Sequence, residues 1–452
     1  MFSIGTEAVA LSRAQRVHAL HRIIPRKLVK RVLGKTGHDR ALCPRLPALF
    51  MVYFMLALGL FCTDCYRQVF RWLRPCRKKG QVPGRSTLCE ARHRLGVAPL
   101  ARLAKEVVQL LAGPEVACAF YRDLRLMAID GFVVDIADMP VNDKVFGRPP
   151  GSRAPGAFPQ ARIVALCEAG THVMWRWLIK PLHIAEQTMA DWLLGFLTPG
   201  MLLIWDRNFL SYQRVAGVLH QGAHLLARVR KGLIFQPIRH LADGSYLAKL
   251  YRDATDRKHD RDGIVVRIID YTFDDPNRPG HGQHHRLITT LLDAQLDPAP
   301  VLIELYHVRW EQELAIDEFK THQIQRPVLR SRTPAGVVQE LYALLLDHYV
   351  VRVLMYQAAQ EAQVPPLSIS FVGTLKILRC RIPEIPRRRR AQLRWWTNLV
   401  REVSEEVLPP RRNRINPRVI KRKMSKWKKK QPEHRFYPQP TRSFADAIVM
   451  LR

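Results

Sequence analysis

The sequence predicts an α/β protein in which a mixed sheet flanked by helices is interrupted by a mainly β insertion and preceded by an α-helical N-terminal domain. Three observations support this class. Apolar residues recur at helical spacing in residues 1–122, and apolar extended segments alternate with helices from Leu124 onward. Residues 232–300 contain short strand-like runs separated by loops rich in Asp, Arg, His and Gly. At 452 residues, the chain is long enough for two or three domains.

The N-terminal region is predicted to consist of helices with a basic surface. The predicted helical segments are Ser12–Leu33, Leu46–Leu73 and Arg85–Leu111. In the last of these, Ser86 is expected to cap a helix that Gly96 ends, with Arg92 and Arg94 projecting outward. Such a helix suits recognition of a DNA end, and a solvated basic face explains the same pattern equally well.

One uncharged stretch of 18 residues, Leu46 to Thr63, approaches the length that spans a bilayer. We favour a buried helix, because the stretch is isolated and contains Pro47. No basic stretch followed by an apolar segment begins the sequence, so we expect no signal peptide and no membrane partner.

The eight cysteines are scattered, which favours reduced thiols in a cytosolic protein. Cys62 and Cys65 form a C-x-x-C pair that, with Cys76 and Cys89, offers a nominal zinc site. The spacing of the last two is irregular, so we favour the absence of zinc.

The charge of the chain predicts a polyanionic partner. Its 72 Lys and Arg residues exceed its 39 Asp and Glu residues, giving a net charge of +33 and a pI of about 10.4. Arg387–Arg390 is an unbroken basic run, and Arg411–Lys430 is rich in Lys and Arg and contains no acid. Nucleic acid fits this surplus better than an anionic membrane, with a solubilising tail as the alternative.

After residue 123, the pattern predicts a sheet with two acids at strand ends. Asp130 and Asp206 each follow an apolar strand, at the position where ligands of open α/β sheets bind. Taken alone, each is equally well explained as a turn or capping residue. The predicted strands are Leu126–Ile136, Ala161–Glu168, His172–Ile179, Met201–Asp206 and His224–Val229, and the predicted helices are Ala185–Leu197 and Phe209–His220.

A helix predicted to start near Val301 carries a stripe of polar residues. At 3.6 residues per turn, Tyr306, Arg309, Glu313 and Lys320 fall within an arc of about 60°. Considered alone, the helix is best explained as a surface helix with Arg309 and Glu313 as an ordinary ion pair. A second helix is predicted to follow, with Thr333 as its N-cap.

Convergence of Asp130, Asp206 and Glu313 would create a site that needs cations. Carboxylate oxygens select Mg²⁺ or Mn²⁺, and two such ions can hold the attacking and leaving oxygens of a phosphoryl displacement. Arg309 and Lys320 would then contact backbone phosphates, and Tyr306 would hydrogen-bond or stack near the end of the strand.

These residues resemble motifs of the transposases of the insertion-sequence four family. The gaps between Tyr306, Arg309, Glu313 and Lys320 match that family's Y-R-E-K signature. Segments around the two aspartates resemble its first and second acidic motifs. They are Ala128–Gly131 with Asp138–Pro140, Asn142 and Phe146–Gly147, and then Asp206–Phe209 with Ser211–Tyr212. Two later segments are also similar: Arg330–Pro334 and Pro417–Lys423.

The resemblance implies an RNase H-like catalytic domain with a DDE triad. Asp130, Asp206 and Glu313 would be the catalytic metal ligands for Mg²⁺ or Mn²⁺, and Tyr306, Arg309 and Lys320 would bind DNA. The implied activity is cleavage of DNA at the terminal inverted repeats of an insertion sequence, followed by strand transfer into target DNA. The implied assembly is a homodimer in the complex of paired ends. The alternatives are an inactive DNA-binding derivative and a stand-alone RNase H-like nuclease.

The resemblance also implies a domain organisation and a subcellular location. We expect a DNA-end-binding domain (1–122), two parts of the catalytic core (123–231 and 301–385), a β-rich insertion (232–300) and a basic tail (386–452). No nucleotide-binding loop is present, so no nucleotide cofactor is expected. The expected location is the bacterial cytoplasm, in association with the nucleoid.

Overall fold

The computed structural model describes residues 18–39, 46–74, 81–151, 155–230, 232–386, 389–410, 419–420 and 428–451, which form two compact units. The first unit comprises the chain up to Phe196 together with Trp310–Leu408, and the second comprises Leu197–Arg309 with the chain from Pro409 onward. The start of the predicted segment Ser12–Leu33, part of Arg387–Arg390 and most of Arg411–Lys430 lie outside the described residues.

The N-terminal part of the first unit is helical, as predicted, but its long segments divide. A turn at residues 61–65 splits the segment Leu46–Leu73, and Gly96, with φ of 65°, splits Arg85–Leu111. The described helices of this part are His18–Ile23, Arg26–Lys35, Ala48–Leu60, Tyr66–Leu73, Arg85–Leu95 and Ala98–Val107.

The Ala48–Leu60 helix is buried on every side from Phe50 to Leu60. This confirms the buried-helix interpretation of the uncharged stretch. Among the described residues, no helix is both long enough and apolar enough to cross a membrane. The helix instead belongs to a large core that also contains side chains of the helices Pro334–Ala362, Phe371–Arg381 and Arg389–Ser404. The N-terminal helices therefore share their core with the last helices of the same unit.

The Arg85–Leu95 helix corrects two expectations. Its N-cap is Gly84 and Ser86 lies inside the helix, so the predicted Ser86 cap is wrong, whereas Gly96 ends the helix as predicted. Arg92 does not project outward. Its side chain is 3% exposed, because its guanidinium group donates hydrogen bonds to residues of the chain near Pro334. Arg94 is exposed, as expected.

The sheet of the first unit is an antiparallel meander. Leu124–Asp135 pairs on one side with Phe120–Tyr121 and on the other with Gln160–Glu168, which pairs in turn with Val173–Pro181. The remaining described helices of this unit are Pro140–Phe146, Glu186–Leu194, Trp310–Asp317, Pro334–Ala362, Phe371–Arg381 and Arg389–Ser404. The Pro334–Ala362 helix, called the long helix below, begins as predicted, since the Thr333 side chain accepts a hydrogen bond from the Gly336 amide.

The sheet of the second unit is mixed. Met201–Trp205 and His224–Arg228 pair in parallel, and the other pairs are antiparallel. After these two strands the order is His285–Thr289, Ile264–Phe273, Tyr246–Leu250 and Arg239–His240, with Ile448–Met450 also pairing to Ile264–Phe273. The described α-helices of this unit are Tyr212–His220, Ala254–Lys258 and Ala299–Tyr306.

These elements confirm the α/β class, the helical N-terminal region and the mainly β character of residues 232–300. Along the chain, a three-stranded antiparallel segment is followed by a helix, a strand, a second helix and a parallel strand. This order is the one predicted from the apolar pattern of the sequence.

Candidate active site

Asp130 lies near the middle of the Leu124–Asp135 strand, directly after four buried residues, Leu126 to Ile129. The strand-end position predicted for Asp130 is therefore wrong, because the residues from Gly131 to Asp135 continue to pair with the neighbouring strand. It pairs with Ala165 on the neighbouring strand, and its Oδ1 accepts a hydrogen bond of 2.8 Å from the Gly131 amide. A Cβ atom on Gly131 would overlap the carboxyl group of Glu186. The glycine that follows Asp130 therefore allows a second carboxylate, Glu186, to approach the same point of the strand.

Glu313 lies in the same unit as Asp130, on a helix that packs against the Leu124–Asp135 strand. The packing is visible at Gln312, whose Nε2 lies 3.4 Å from the carbonyl oxygen of Ala165, and at Phe132 and Phe319, whose ring centroids are 5.5 Å apart. Glu313 itself is half-buried. The structure thus brings Glu313 to the strand that carries Asp130.

Asp206 lies in the second unit, at the end of the fully buried strand Met201–Trp205. It is the N-cap of a short 3₁₀ turn, Arg207–Phe209. Arg230 holds this turn by donating hydrogen bonds to the carbonyl oxygens of Arg207 and Asn208, at 2.9 and 2.7 Å. The strand-end position predicted for Asp206 is confirmed.

Tyr306 and Arg309 lie in the same unit as Asp206. Tyr306 is 7% exposed, and its hydroxyl makes no hydrogen bond within the described part of the chain. Burial raises the pKa of the Tyr306 hydroxyl far above its ordinary value; Arg309 lowers it and Asp206 raises it. Tyr306 is therefore within electrostatic reach of both Asp206 and Arg309.

The segment that carries the four-residue signature is not one regular helix. It consists of an α-helix Ala299–Tyr306, a 3₁₀ turn His307–Arg309, an α-helix Trp310–Asp317 and a π-helical segment Glu318–Gln323. The predicted arc of about 60° assumed 3.6 residues per turn throughout, so that geometric argument is wrong. Lys320 is exposed and lines a cavity of about 200 Å³ together with Asp135 and Gln160.

A buried ionic network holds the two ends of the Trp310–Asp317 helix. His172 Nε2 lies 2.8 Å from Glu311 Oε2, and His172 Nδ1 lies 3.0 Å from Glu318 Oε1. Arg352 forms an ion pair with Glu318. Burial raises the pKa of the Glu318 carboxyl, but Arg352 and His172 hold it well below its ordinary value. No sequence spacing pointed to this network, because its members come from the turn before the Val173–Pro181 strand, the Trp310–Asp317 helix, the π-helical segment and the long helix.

The donor chemistry of the predicted triad fits a hard divalent cation, since all three side chains offer carboxylate oxygens. Among the described residues, no three His, Cys, Asp or Glu side chains are grouped closely enough to hold a metal ion. Of the cysteines of the nominal zinc site, Cys62 is buried, Cys65 is exposed and Cys89 is half-buried, and Cys76 lies outside the described residues.

The chain is similar to known proteins over most of its length. The family model for the N-terminal part of the insertion element 4 transposase matches residues 14–105, and the model for the transposase DDE domain matches residues 122–347. Transposase InsG for insertion sequence element IS4, from Escherichia coli (strain K12), is 28% identical over 424 residues, covering 89% of this chain and 91% of that protein. The solved piggyBac transposase synaptic complex with hairpin DNA covers 88% of this chain and 86% of that chain, at 11% identity and a TM-score of 0.43, which does not by itself establish a shared fold.

The match to the DDE domain includes the strand with Asp130, the strand end with Asp206 and the helix with Glu313. It spans half of the chain, and the N-terminal model accounts for most of what precedes it. The chain therefore belongs to the insertion element 4 family of DDE transposases, the enzymes that carry out DNA transposition.

Proposed function

We propose that this transposase cleaves phosphodiester bonds at the terminal inverted repeats of its own insertion sequence and then joins the freed ends to target DNA. The observation that carries the proposal is the environment of the three acids. Asp130 and Glu313 belong to a strand and a helix that pack together in one unit, and Asp206 lies within electrostatic reach of the buried Tyr306 in the other.

We assign the catalytic and metal-binding role to the carboxylates of Asp130, Asp206 and Glu313. Transposase DDE domains use divalent metal ions, and an all-carboxylate donor set favours Mg²⁺ or Mn²⁺. When bound, such ions stabilise the charge on the attacking and leaving oxygens of an in-line displacement. Asp130 and Glu313 are both half-buried, so part of each residue is exposed to solvent.

The neighbouring polar residues would position the DNA. Arg309 and Lys320 contact backbone phosphates beside the cleaved bond, since phosphate contacts fix the register of a protein on DNA. We assign to Tyr306 a role beside the DNA strand, by hydrogen bonding or stacking, because it lies within electrostatic reach of Asp206 and Arg309. Residues 1–122 and the basic tail 386–452 bind the DNA outside the cleavage site, and two copies of the chain pair two ends as a homodimer.

The test is cleavage of a labelled duplex that carries the DNA flanking this gene, with Mg²⁺ or with EDTA. We expect the wild type to nick the duplex at the end of the repeat only with Mg²⁺, and Glu313→Gln to abolish nicking while keeping DNA binding. The matched control is Glu304→Gln, which removes an exposed carboxylate from the preceding helix and is expected to cleave like the wild type.

The outcomes separate this proposal from its alternatives. Full cleavage by Glu313→Gln would falsify the assignment of the triad. If the wild type binds the end of the element but does not cleave it with Mg²⁺, the protein is instead an inactive DNA-binding derivative. Cleavage of duplexes regardless of the repeat sequence would indicate a nuclease without element specificity.

A further inference from the structure

The first unit contains a strongly basic cavity whose lining includes neither Asp130 nor Glu313. Its volume is about 350 Å³. Three parts of the chain form it: the Tyr66–Leu73 helix, the Arg85–Leu95 helix and residues 326–336, which lead into the long helix. We call it the arginine pocket, after Arg67, Arg85, Arg92, Arg326, Arg330 and Arg332 in its lining.

Arg92 forms the inner wall of the arginine pocket and is almost completely buried. Its guanidinium group donates hydrogen bonds to Gln339 Oε1 at 2.7 Å, Tyr66 Oη at 2.6 Å and Ser331 Oγ at 2.6 Å. It also donates to the carbonyl oxygen of Gly336. All four acceptors are neutral, so these bonds orient the group without a direct ion pair, and Glu340 reaches it only through the Ser331 hydroxyl. A buried charge without a direct ion-pair partner is costly, which makes an anionic ligand favourable at this position.

Residues 326–336, which lie beside Arg92, are also fixed by arginine side chains that donate hydrogen bonds to neutral acceptors. Arg330 donates to the carbonyl oxygens of Asp64, at 3.0 Å, and of Cys62, and Arg326 donates to that of Thr63 at 2.9 Å. Glu340 compensates part of this charge, with its Oε1 3.6 Å from Arg330 Nε. The acid in the lining, Asp64, accepts a hydrogen bond from Trp72 Nε1 at 2.8 Å. The two carboxylates are outnumbered by the arginines around them.

Three further arginines, Arg67, Arg85 and Arg332, carry the positive charge from Arg92 to the surface. Each is exposed, and none makes a side-chain hydrogen bond or an ion pair within the part of the chain that the structure describes. They come from three different elements. Exposed guanidinium groups that converge on one cavity without carboxylate partners are arranged for an anion that arrives from solvent.

We propose that the arginine pocket binds a backbone phosphate of duplex DNA, outside the site of strand cleavage. The identity of the ligand rests on the proposed function, since a transposase must hold DNA on both sides of the bond that it cuts. Guanidinium groups bind phosphate oxygens through paired hydrogen bonds, and phosphate contacts fix register without reading sequence. Free inorganic phosphate offers the same chemistry, but the continuation of the charge to the surface favours a polyanion that extends beyond the cavity.

The test measures DNA binding by the full chain in EDTA, where no strand is cut. The probe is a fluorescent duplex of about 40 base pairs, long enough to extend beyond a single phosphate site, and its affinity is followed by anisotropy over a series of KCl concentrations. The pocket variant is Arg67→Gln/Arg85→Gln/Arg332→Gln. The control is Arg71→Gln/Lys376→Gln/Arg401→Gln, which removes three exposed cations from helices of the same unit and none from the pocket. Circular dichroism checks that both variants melt like the wild type.

We expect the pocket variant to bind the duplex at least about tenfold more weakly, with the slope of log K against log[KCl] reduced by about 0.9 for each phosphate that the variant no longer binds. The control is expected to stay within about twofold of the wild type, because it keeps every arginine of the pocket. Equal weakening in both variants would reduce the effect to net charge and overturn the proposal, as would an unchanged slope in the pocket variant. The same anisotropy titration is repeated for the wild type with added inorganic phosphate in place of part of the KCl. Unchanged DNA affinity in the pocket variant, together with no competition by inorganic phosphate in the wild type, would overturn the assignment to DNA.

The binding test and the cleavage test fail independently. A wild type that never cleaves DNA contradicts the proposed function, while a specific loss of metal-free binding in the pocket variant still supports the arginine pocket. Conversely, normal DNA binding by the pocket variant contradicts the proposed role of the arginine pocket and has no bearing on the cleavage assay.

Discussion

The carboxyl group of Asp347 lies directly against the backbone of Gly59. The two residues belong to buried helices, Asp347 to the long helix and Gly59 to the Ala48–Leu60 helix. A Cβ atom on Gly59 would overlap Asp347 Oδ2 and would stand 3.3 Å from the carbonyl carbon of Ala343. The close approach of the two helices therefore depends on the absence of a side chain at Gly59.

The first prediction is that Gly59→Ala destabilises the protein. Overpacking a fixed helix contact costs about 1–3 kcal/mol, which thermal unfolding followed by circular dichroism will detect as a lower Tm. The control is Gly34→Ala in the Arg26–Lys35 helix, where no atom lies within 4 Å of the added methyl group. That change is expected to leave stability unchanged or raise it by up to about 1 kcal/mol. An equal loss in both variants would contradict the steric explanation.

The second prediction concerns the charge of Asp347. Burial raises the pKa of its carboxyl well above the ordinary value of 3.8, and Arg379 lowers it only in part. Above about pH 4, the Asp347 carboxyl therefore keeps its proton in the folded protein but loses it in the unfolded chain. The stability that this proton provides is full below that pH and is lost as pH rises toward the folded pKa.

Asp347→Asn cannot ionise, so it avoids this loss. The free energy of unfolding of the variant, relative to the wild type, is expected to increase as pH rises from about 4 to about 8. Urea denaturation at several pH values measures the difference. Parallel curves for the two proteins would show that Asp347 does not carry a raised pKa.

The third prediction is that Arg352→Met destabilises the helix that carries Glu313. The change leaves the carboxylate of Glu318 without its buried guanidinium partner, which typically costs about 3–5 kcal/mol. Urea unfolding measures the loss. The double variant Arg352→Met/Glu318→Leu removes both charges and is expected to recover most of the stability. A double variant as unstable as the single one would mean that packing, not the uncompensated charge, explains the loss.

The fourth prediction is that His307 stays neutral under ordinary assay conditions. Burial lowers the pKa of His307 to about 4, and the cations Arg278 and Arg309 act in the same direction. The stability associated with its neutral form is full above the ordinary pKa of 6.5 and is lost as pH falls toward 4. An NMR titration of the imidazole should therefore show a midpoint near 4.

His307→Gln should correspondingly flatten the loss of stability between pH 6.5 and 4. His259→Gln, at an exposed histidine of the same unit, measures the effect of losing a histidine elsewhere. An imidazole midpoint of about 6 or higher, close to the unperturbed value, would contradict the buried, cation-flanked environment of His307.

Local patterns predicted the features that depend on neighbours in the sequence. The strand before Asp206 is a continuous apolar run, Thr333 precedes a proline at the start of a helix, and the stretch from Leu46 to Thr63 has no charge to expose. Each pattern fixes burial or capping within a few residues, and the structure has all three. The acids at Asp130 and Asp206 could be selected because both follow such apolar runs.

Features that depend on distant residues could not be predicted. Arg92 is buried against its partners Ser331 and Gln339. Because these lie 239 and 247 residues away in the sequence, the local pattern could not show the burial. The His172 network likewise joins Glu311, Glu318 and Arg352 across more than a hundred residues. Two members of this network, Glu311 and Glu318, lie in the segment from Ala299 to Gln323, which contains 3₁₀ and π turns as well as α-helix.

The core shared by the first and last helices of one unit has a consequence for synthesis on the ribosome. The Ala48–Leu60 helix emerges early, but members of the same core such as Leu346, Trp396 and Val403 are translated some three hundred residues later. At about 5–20 residues per second, the nascent helix waits on the order of tens of seconds for them. Until then, the side of the helix that packs against the long helix stays exposed. Truncated copies of the gene should therefore yield aggregating fragments instead of competing DNA-binding proteins.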